Sequence, residues 1–126
     1  MAEYSLAHIG INAANEQEAL KTAEMFSALF GFAVKPGNSS VFAGTGIEVM
    51  KEPYKGRNGH IAIGTPDVAA AKADLEGRGF TFDDATAKFK ADGTLNAIYL
   101  TDEICGFAVH LVGKKQSQPI FTEGKS

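Results

Sequence analysis

The chain has 126 residues, a formal charge of −3 and 44% hydrophobic residues; that is enough apolar chain for one core, and wholesale disorder is excluded. No apolar run approaches the ~20 residues of a membrane helix, and mild acidity with scattered Lys and Arg argues against nucleic acid as a main partner. The single cysteine, Cys105, excludes an intrachain disulfide and a cysteine-based zinc finger. The segment Met1-Ala2-Glu3-Tyr4-Ser5 lacks the basic-then-apolar pattern of a signal peptide, so a cytoplasmic protein is expected.

Taken in chain order, Leu6 to Asn12 alternates like a strand. Asn15 followed by Glu18 resembles a capping box. Leu20, Ala23, Phe26, Leu29 and Phe30 then recur at helical spacing, and Gly31 supplies a left-handed stop. Strands are predicted at Ala33 to Lys35, Ser40 to Ala43 and Ile47 to Lys51, separated by Pro36-Gly37-Asn38 and Gly44-Thr45-Gly46. A second set opens with a strand at Asn58 to Gly64. A helix follows from Thr65-Pro66-Asp67, with Val68, Ala71 and Leu75 as its apolar stripe and Gly79 at its end. Strands at Thr86 to Phe89, Leu95 to Leu100 and Phe107 to Val112 complete the set. The elements thus run β-α-β-β-β twice. The modules lie at about 5–51 and 58–112 of a single domain, 1–112. Residues 113–126 form a polar tail, expected to be mobile or to lie on a partner.

The repeat is visible in residues. His8-Ile9-Gly10-Ile11 matches His60-Ile61-Ala62-Ile63, and Ile47-Glu48-Val49-Met50 answers Val109-His110-Leu111-Val112. The chain has only three histidines, and each falls inside a predicted strand. His8 and His60 open the two modules; Glu48 and His110 occupy equivalent positions in the closing strands. Strand parity puts all four opposite the larger aliphatic side chains. Taken singly, a strand histidine is more often a core or edge residue than a ligand. The repeat, however, predicts four equivalent positions, and all four hold ligand-capable side chains. Three imidazoles and one carboxylate on one face suit a divalent transition metal such as Zn, Ni, Co, Mn or Fe.

These features resemble the vicinal oxygen chelate superfamily, which includes glyoxalase I, extradiol dioxygenases, methylmalonyl-CoA epimerase and fosfomycin-resistance proteins. The matching stretches are His8-Ile9-Gly10-Ile11, Phe30-Gly31-Phe32, Gly59-His60-Ile61-Ala62, and Ile98-Tyr99-Leu100-Thr101-Asp102 with Gly106-Phe107-Ala108-Val109-His110-Leu111. The resemblance implies an α+β fold: two β-α-β-β-β modules whose curved mixed sheets form an open cup, with His8, Glu48, His60 and His110 as metal ligands. The family usually places Glu where this chain has His110, which weakens a dioxygenase reading. Asn38-Ser39-Ser40-Val41-Phe42-Ala43-Gly44, with Ile47-Glu48-Val49-Met50-Lys51 and Gly59-His60-Ile61-Ala62-Ile63-Gly64, is also similar to a glyoxalase-like domain found behind some bacterial keto-deoxy-phosphogluconate/hydroxy-oxoglutarate aldolases.

The function expected is that of a metal-dependent lyase or isomerase of the glyoxalase type. Its substrate would be a small 2-oxo or vicinal-oxygen compound, with Lewis-acid stabilisation of an enediolate. Glu48 is either the proton shuttle or a spectator ligand. The alternative is a non-catalytic binding or accessory module associated with an aldolase domain. Tyr54 and Arg57 between the modules, and Lys88 in the second, are candidates for holding an anionic substrate. Cys105, in a turn, has no base in sequence to activate it. Gly124-Lys125-Ser126 lacks the glycines and helix of a phosphate loop. A homodimer is expected, its site lying within one chain or shared between two.

Overall fold

The structure is a computed structural model that describes residues 3–114. The tail expected at 113–126 lies outside the described residues apart from Gly113 and Lys114. Ten elements follow one another: β1 (Ser5–Asn12), α1 (Glu16–Phe30), β2 (Val34–Pro36), β3 (Ser40–Ala43), β4 (Ile47–Met50), β5 (Gly59–Thr65), α2 (Val68–Gly77), β6 (Phe82–Phe89), β7 (Leu95–Leu100) and β8 (Phe107–Gly113).

The strands join in one eight-stranded mixed sheet of order β2-β3-β4-β1-β5-β8-β7-β6. Read outward from the centre, β1-β4-β3-β2 and β5-β8-β7-β6 are the same succession. The first and last strands of each module run parallel, Gly10 beside Glu48 and Ala62 beside His110. The modules meet where β1 and β5 pair antiparallel, Gly10 opposite His60 and His8 opposite Ala62. The repeat in the sequence thus becomes an approximate two-fold axis through the sheet centre.

Local chemistry accounts for the helices. Asn15 Oδ1 accepts a hydrogen bond from the Glu18 amide at 2.8 Å, and Glu18 Oε1 accepts from the Ala14 amide at 2.6 Å, so the box satisfies two otherwise unpaired N–H groups. Gly31 closes α1 at φ 78°. Asp67 caps α2 through the Ala70 amide at 3.0 Å. Both helices cover the same face of the sheet. Under α1 lie Ala19, Ala23, Val41 and Val49; under α2 lie Val68, Ala71, Ile98 and Leu111. Small residues on the inner helix faces let the helices sit close to the strands. Leu29 and Phe30, which recur at the same helical spacing as Ala23 and Phe26, are 63% and 61% exposed.

Two boundaries differ from the sequence pattern by more than one residue. The strand expected from Thr86 begins at Phe82, whose ring is buried. Its register shifts between Asp83 and Lys88, so the apolar alternation is broken where the bulge lies. Helix α2 ends at Gly77, two residues before Gly79. No helix among the described residues is long and apolar enough to cross a membrane.

Candidate functional site

The uncovered face of the sheet carries two rows of side chains across its centre. Phe42, Glu48, Gly10 and His60 are successive partners on β3, β4, β1 and β5. His8, Ala62, His110 and Tyr99 are successive partners on β1, β5, β8 and β7. The two-fold axis exchanges the rows, relating His8 to His60, Glu48 to His110, Gly10 to Ala62 and Phe42 to Tyr99. Small residues fill the central positions, and the ligand-type side chains close over them.

Gly10 has a specific steric role. A Cβ at that position would overlap the imidazole of His60, so His60 lies across β1 only because residue 10 has no side chain. His60 is 2% exposed as a result.

His8, Glu48 and His60 form a close triangle. Glu48 Oε1 is 3.1 Å from Nε2 of both His8 and His60, and the two Nε2 atoms are 3.3 Å apart. Two atoms each about 2.1 Å from one ion stand about 3.0 Å apart at a right angle and about 3.4 Å apart at the tetrahedral angle. The observed separations fall between those values. One ligand atom from each of His8, His60 and His110 lies within 4.8 Å of the others, so these histidines form a group that could hold a metal ion. All four side chains belong to one chain. His60 Nδ1 is buried without a hydrogen-bond partner among the described residues.

Electrostatics set the protonation states. Burial alone would raise the pKa of Glu48, but hydrogen bonds from His60, His8 and Ser40 outweigh it and hold the carboxyl well below the usual range. His110 is pushed down to about 4, chiefly by burial and further by His8 and His60. It is therefore neutral near pH 7. Its Nδ1 lies 3.2 Å from the Leu111 carbonyl; with the proton on Nδ1, Nε2 keeps its lone pair. The Tyr99 ring leans on His110 with centroids 4.5 Å apart, and burial raises its hydroxyl pKa, keeping it a donor. Phe42 meets His8 edge-on at 5.5 Å.

The four residues lie in a cleft of about 1010 Å³, with Tyr54, Lys88, Tyr99, Lys51 and Asn38 among its walls. Of the residues expected to hold substrate, Tyr54 and Lys88 are therefore beside the cluster. Lys51 is paired with Glu16 at 3.3 Å, whereas Lys88 makes no ion pair among the described residues. Arg57 is not a lining residue, and its guanidinium lies beside Gly106. Cys105 is exposed in the turn before β8. Sequence reasoning missed Ser40, Gly10 and Tyr99. Gly10 had a signal, because its repeat partner is the small residue Ala62; Ser40 had none, because its partner is eight residues away on another strand. A smaller groove of about 430 Å³ lies between α2 and the β6–β7 ribbon. Its charged rim is self-paired, Lys72 meeting Glu76 at 2.9 Å and Asp84 at 3.8 Å.

No protein-family model matches the sequence, and no curated protein matches it. Solved structures do. A methylmalonyl-CoA epimerase in complex with methylmalonyl-CoA and ammonium is 24% identical over 90% of this chain and 100% of that one, with a TM-score of 0.61. A variant of the Streptomyces coelicolor methylmalonyl-CoA epimerase, bound to 2-nitronate-propionyl-CoA, is 23% identical over 91% and 97%, with a TM-score of 0.62. The epimerase from Mycobacterium tuberculosis is 16% identical over 90% and 88%, at 0.60. The fold is the one these epimerases have. In this chain the two modules of that fold share one sheet, and the His–Glu cluster sits on the seam between them.

Proposed function

We propose that the protein is a metal-dependent isomerase or lyase acting on a small, anionic 2-oxo or vicinal-oxygen compound. The observation that carries the reading is the triangle of His8, Glu48 and His60, with His110 beside it, at the base of a wide cleft. His8, Glu48, His60 and His110 would hold a divalent transition metal, which when bound supplies Lewis-acid polarisation of substrate oxygens. Glu48, as a ligand or as a base, is the candidate proton acceptor for a C–H bond next to a carbonyl. Lys88, with no ion-pair partner among the described residues, would attract the substrate's negative charge, and Tyr54 would present its ring or hydroxyl at the mouth. Solved epimerases of the same fold favour isomerisation over elimination, and the CoA thioesters named with them are one candidate substrate class.

Two measurements test this. Elemental analysis of protein purified without a histidine tag should find one divalent transition metal per chain. Deuterium should then enter the carbon beside the carbonyl in at least one member of a panel of 2-oxo acids, 2-oxoaldehydes and acyl thioesters, and Glu48→Gln should abolish that exchange. Bound metal without exchange across the panel would move the reading to an accessory binding module, such as one working beside a sugar-acid aldolase. Absence of metal after incubation with each candidate ion would remove the metal reading altogether.

We also propose a homodimer. Met25, Leu29 and Phe30 expose large apolar area along the second half of α1, and such patches commonly mark association surfaces.

A further inference from the structure

We propose that Ser40 is a positioning residue for Glu48: its hydroxyl ties up one carboxylate oxygen so that the other alone faces the histidines. The consequence for metal binding rests on the ligand reading above. The arrangement itself rests on geometry. Ser40 opens β3 two residues before Phe42, the direct partner of Glu48. It therefore shares a face with Glu48 and stands diagonal to it, within side-chain reach. Ser40 Oγ donates to Glu48 Oε2 at 2.7 Å, the length of a strong hydrogen bond to an ionised acceptor. The serine is 6% exposed. A buried hydroxyl needs a partner, and this one is spent on the carboxylate.

The two oxygens of Glu48 are thus divided, Oε2 to Ser40 and Oε1 to the two Nε2 atoms. Two effects follow. First, the glutamate is already ordered, so an ion does not have to immobilise a free side chain on binding. Second, the hydrogen bond occupies one lone pair of Oε2 and fixes the carboxylate with Oε1 forward, which favours a one-oxygen grip on an ion. A one-oxygen ligand leaves more of a six-coordinate ion open, which suits a substrate that binds through two adjacent oxygens. The two-fold mate of Glu48 is held in a corresponding way, since His110 Nδ1 is turned toward the Leu111 carbonyl. A carboxylate needs a donor on its spare atom and an imidazole needs an acceptor, so the same task uses a serine in one module and a backbone carbonyl in the other.

The test uses Co²⁺ titration with visible spectroscopy and Zn²⁺ calorimetry on the full chain. Ser40→Ala is expected to weaken both ions by about tenfold to a hundredfold and to change the cobalt spectrum, which reports coordination number. Ser40→Thr, which keeps the hydroxyl, should recover most of the affinity. In a Glu48→Ala background Ser40→Ala should add no further loss, an outcome that a merely structural serine would not produce. Unchanged affinity and spectrum in Ser40→Ala would overturn the proposal while leaving the ligand reading standing. Should the wild type bind neither ion, the ligand reading fails instead, and NMR of the metal-free protein decides on Ser40. A slowly exchanging Ser40 hydroxyl proton that disappears in Glu48→Ala supports the assigned bond, and a fast-exchanging one in the wild type overturns it.

Discussion

The position of His60 is decided by what residue 10 lacks. Gly10→Ala places a methyl group where the imidazole now lies, so either the ring leaves the cluster or β1 and β5 separate. Overpacking of this kind costs about 1–3 kcal/mol. The variant should lose most of its bound metal and melt several degrees lower, whereas Ala62→Gly at the two-fold mate should keep its metal. Elemental analysis and a thermal melt of both proteins check this. His8→Ala or His60→Ala should likewise lower metal content and remove the part of the melting temperature that a bound ion contributes by mass action. In the metal-free protein His110 adds a pH dependence. Its folded pKa is about 4 against about 6.5 for a free histidine. Between those values the unfolded chain binds a proton that the folded chain does not. The stability is therefore complete above about pH 6.5 and falls as pH drops toward 4, by on the order of 3 kcal/mol. Melts of the apo protein across that window should show the fall, and His110→Gln should flatten it. The positions of His8, Glu48, His60 and His110 were legible in the sequence because two modules repeat the same strand parity. Arg57 was not, because a linker has no period that says where its side chain points.

Among the elements, helix ends were the most legible, because their chemistry is local. Asn15, Glu18, Asp67 and Gly31 act on amides and carbonyls within a few residues of themselves. Gly31 offers a clean measurement, since nothing lies within 4 Å of a Cβ built there. Gly31→Ala should therefore cost only the left-handed backbone conformation, about 1–2 kcal/mol, or roughly 4–8 °C in a thermal melt. Metal stoichiometry should not change, and Gly31→Asn should recover part of the loss. Strand ends were less legible. The first half of β6 was missed because Asp83 and Asp84 interrupt the alternation, and the strand pairs there through a register shift that only its contacts with β7 reveal. The stripe of α1 was over-read for a related reason. Helical spacing shows which residues share a side, but the close approach of the sheet selects Ala19 and Ala23 for the interior and leaves Leu29 outside.

For the whole molecule, the antiparallel seam between β1 and β5 bears on a question the repeat left open. The first strands of both modules pair within one chain, so His8, Glu48, His60 and His110 gather without help from a second copy. Mixing His8→Ala chains with His110→Ala chains should accordingly not restore metal binding, even where the proteins form mixed dimers. Rescue in that experiment would mean that modules exchange between chains. Sedimentation equilibrium on the wild type tests the dimer itself, and a monomer at every concentration would count against it.

The sequence by itself determined the element types, the order β-α-β-β-β taken twice, and the four ligand-type residues on one face. Each of these follows from periodicity, which is a property of neighbours along the chain. The tertiary structure decided which strands lie at the centre, that one sheet serves both modules, that Gly10 makes room for His60, and that Ser40 holds Glu48. Those relations join residues distant in sequence through hydrogen bonding and excluded volume across strands, and no local period encodes them.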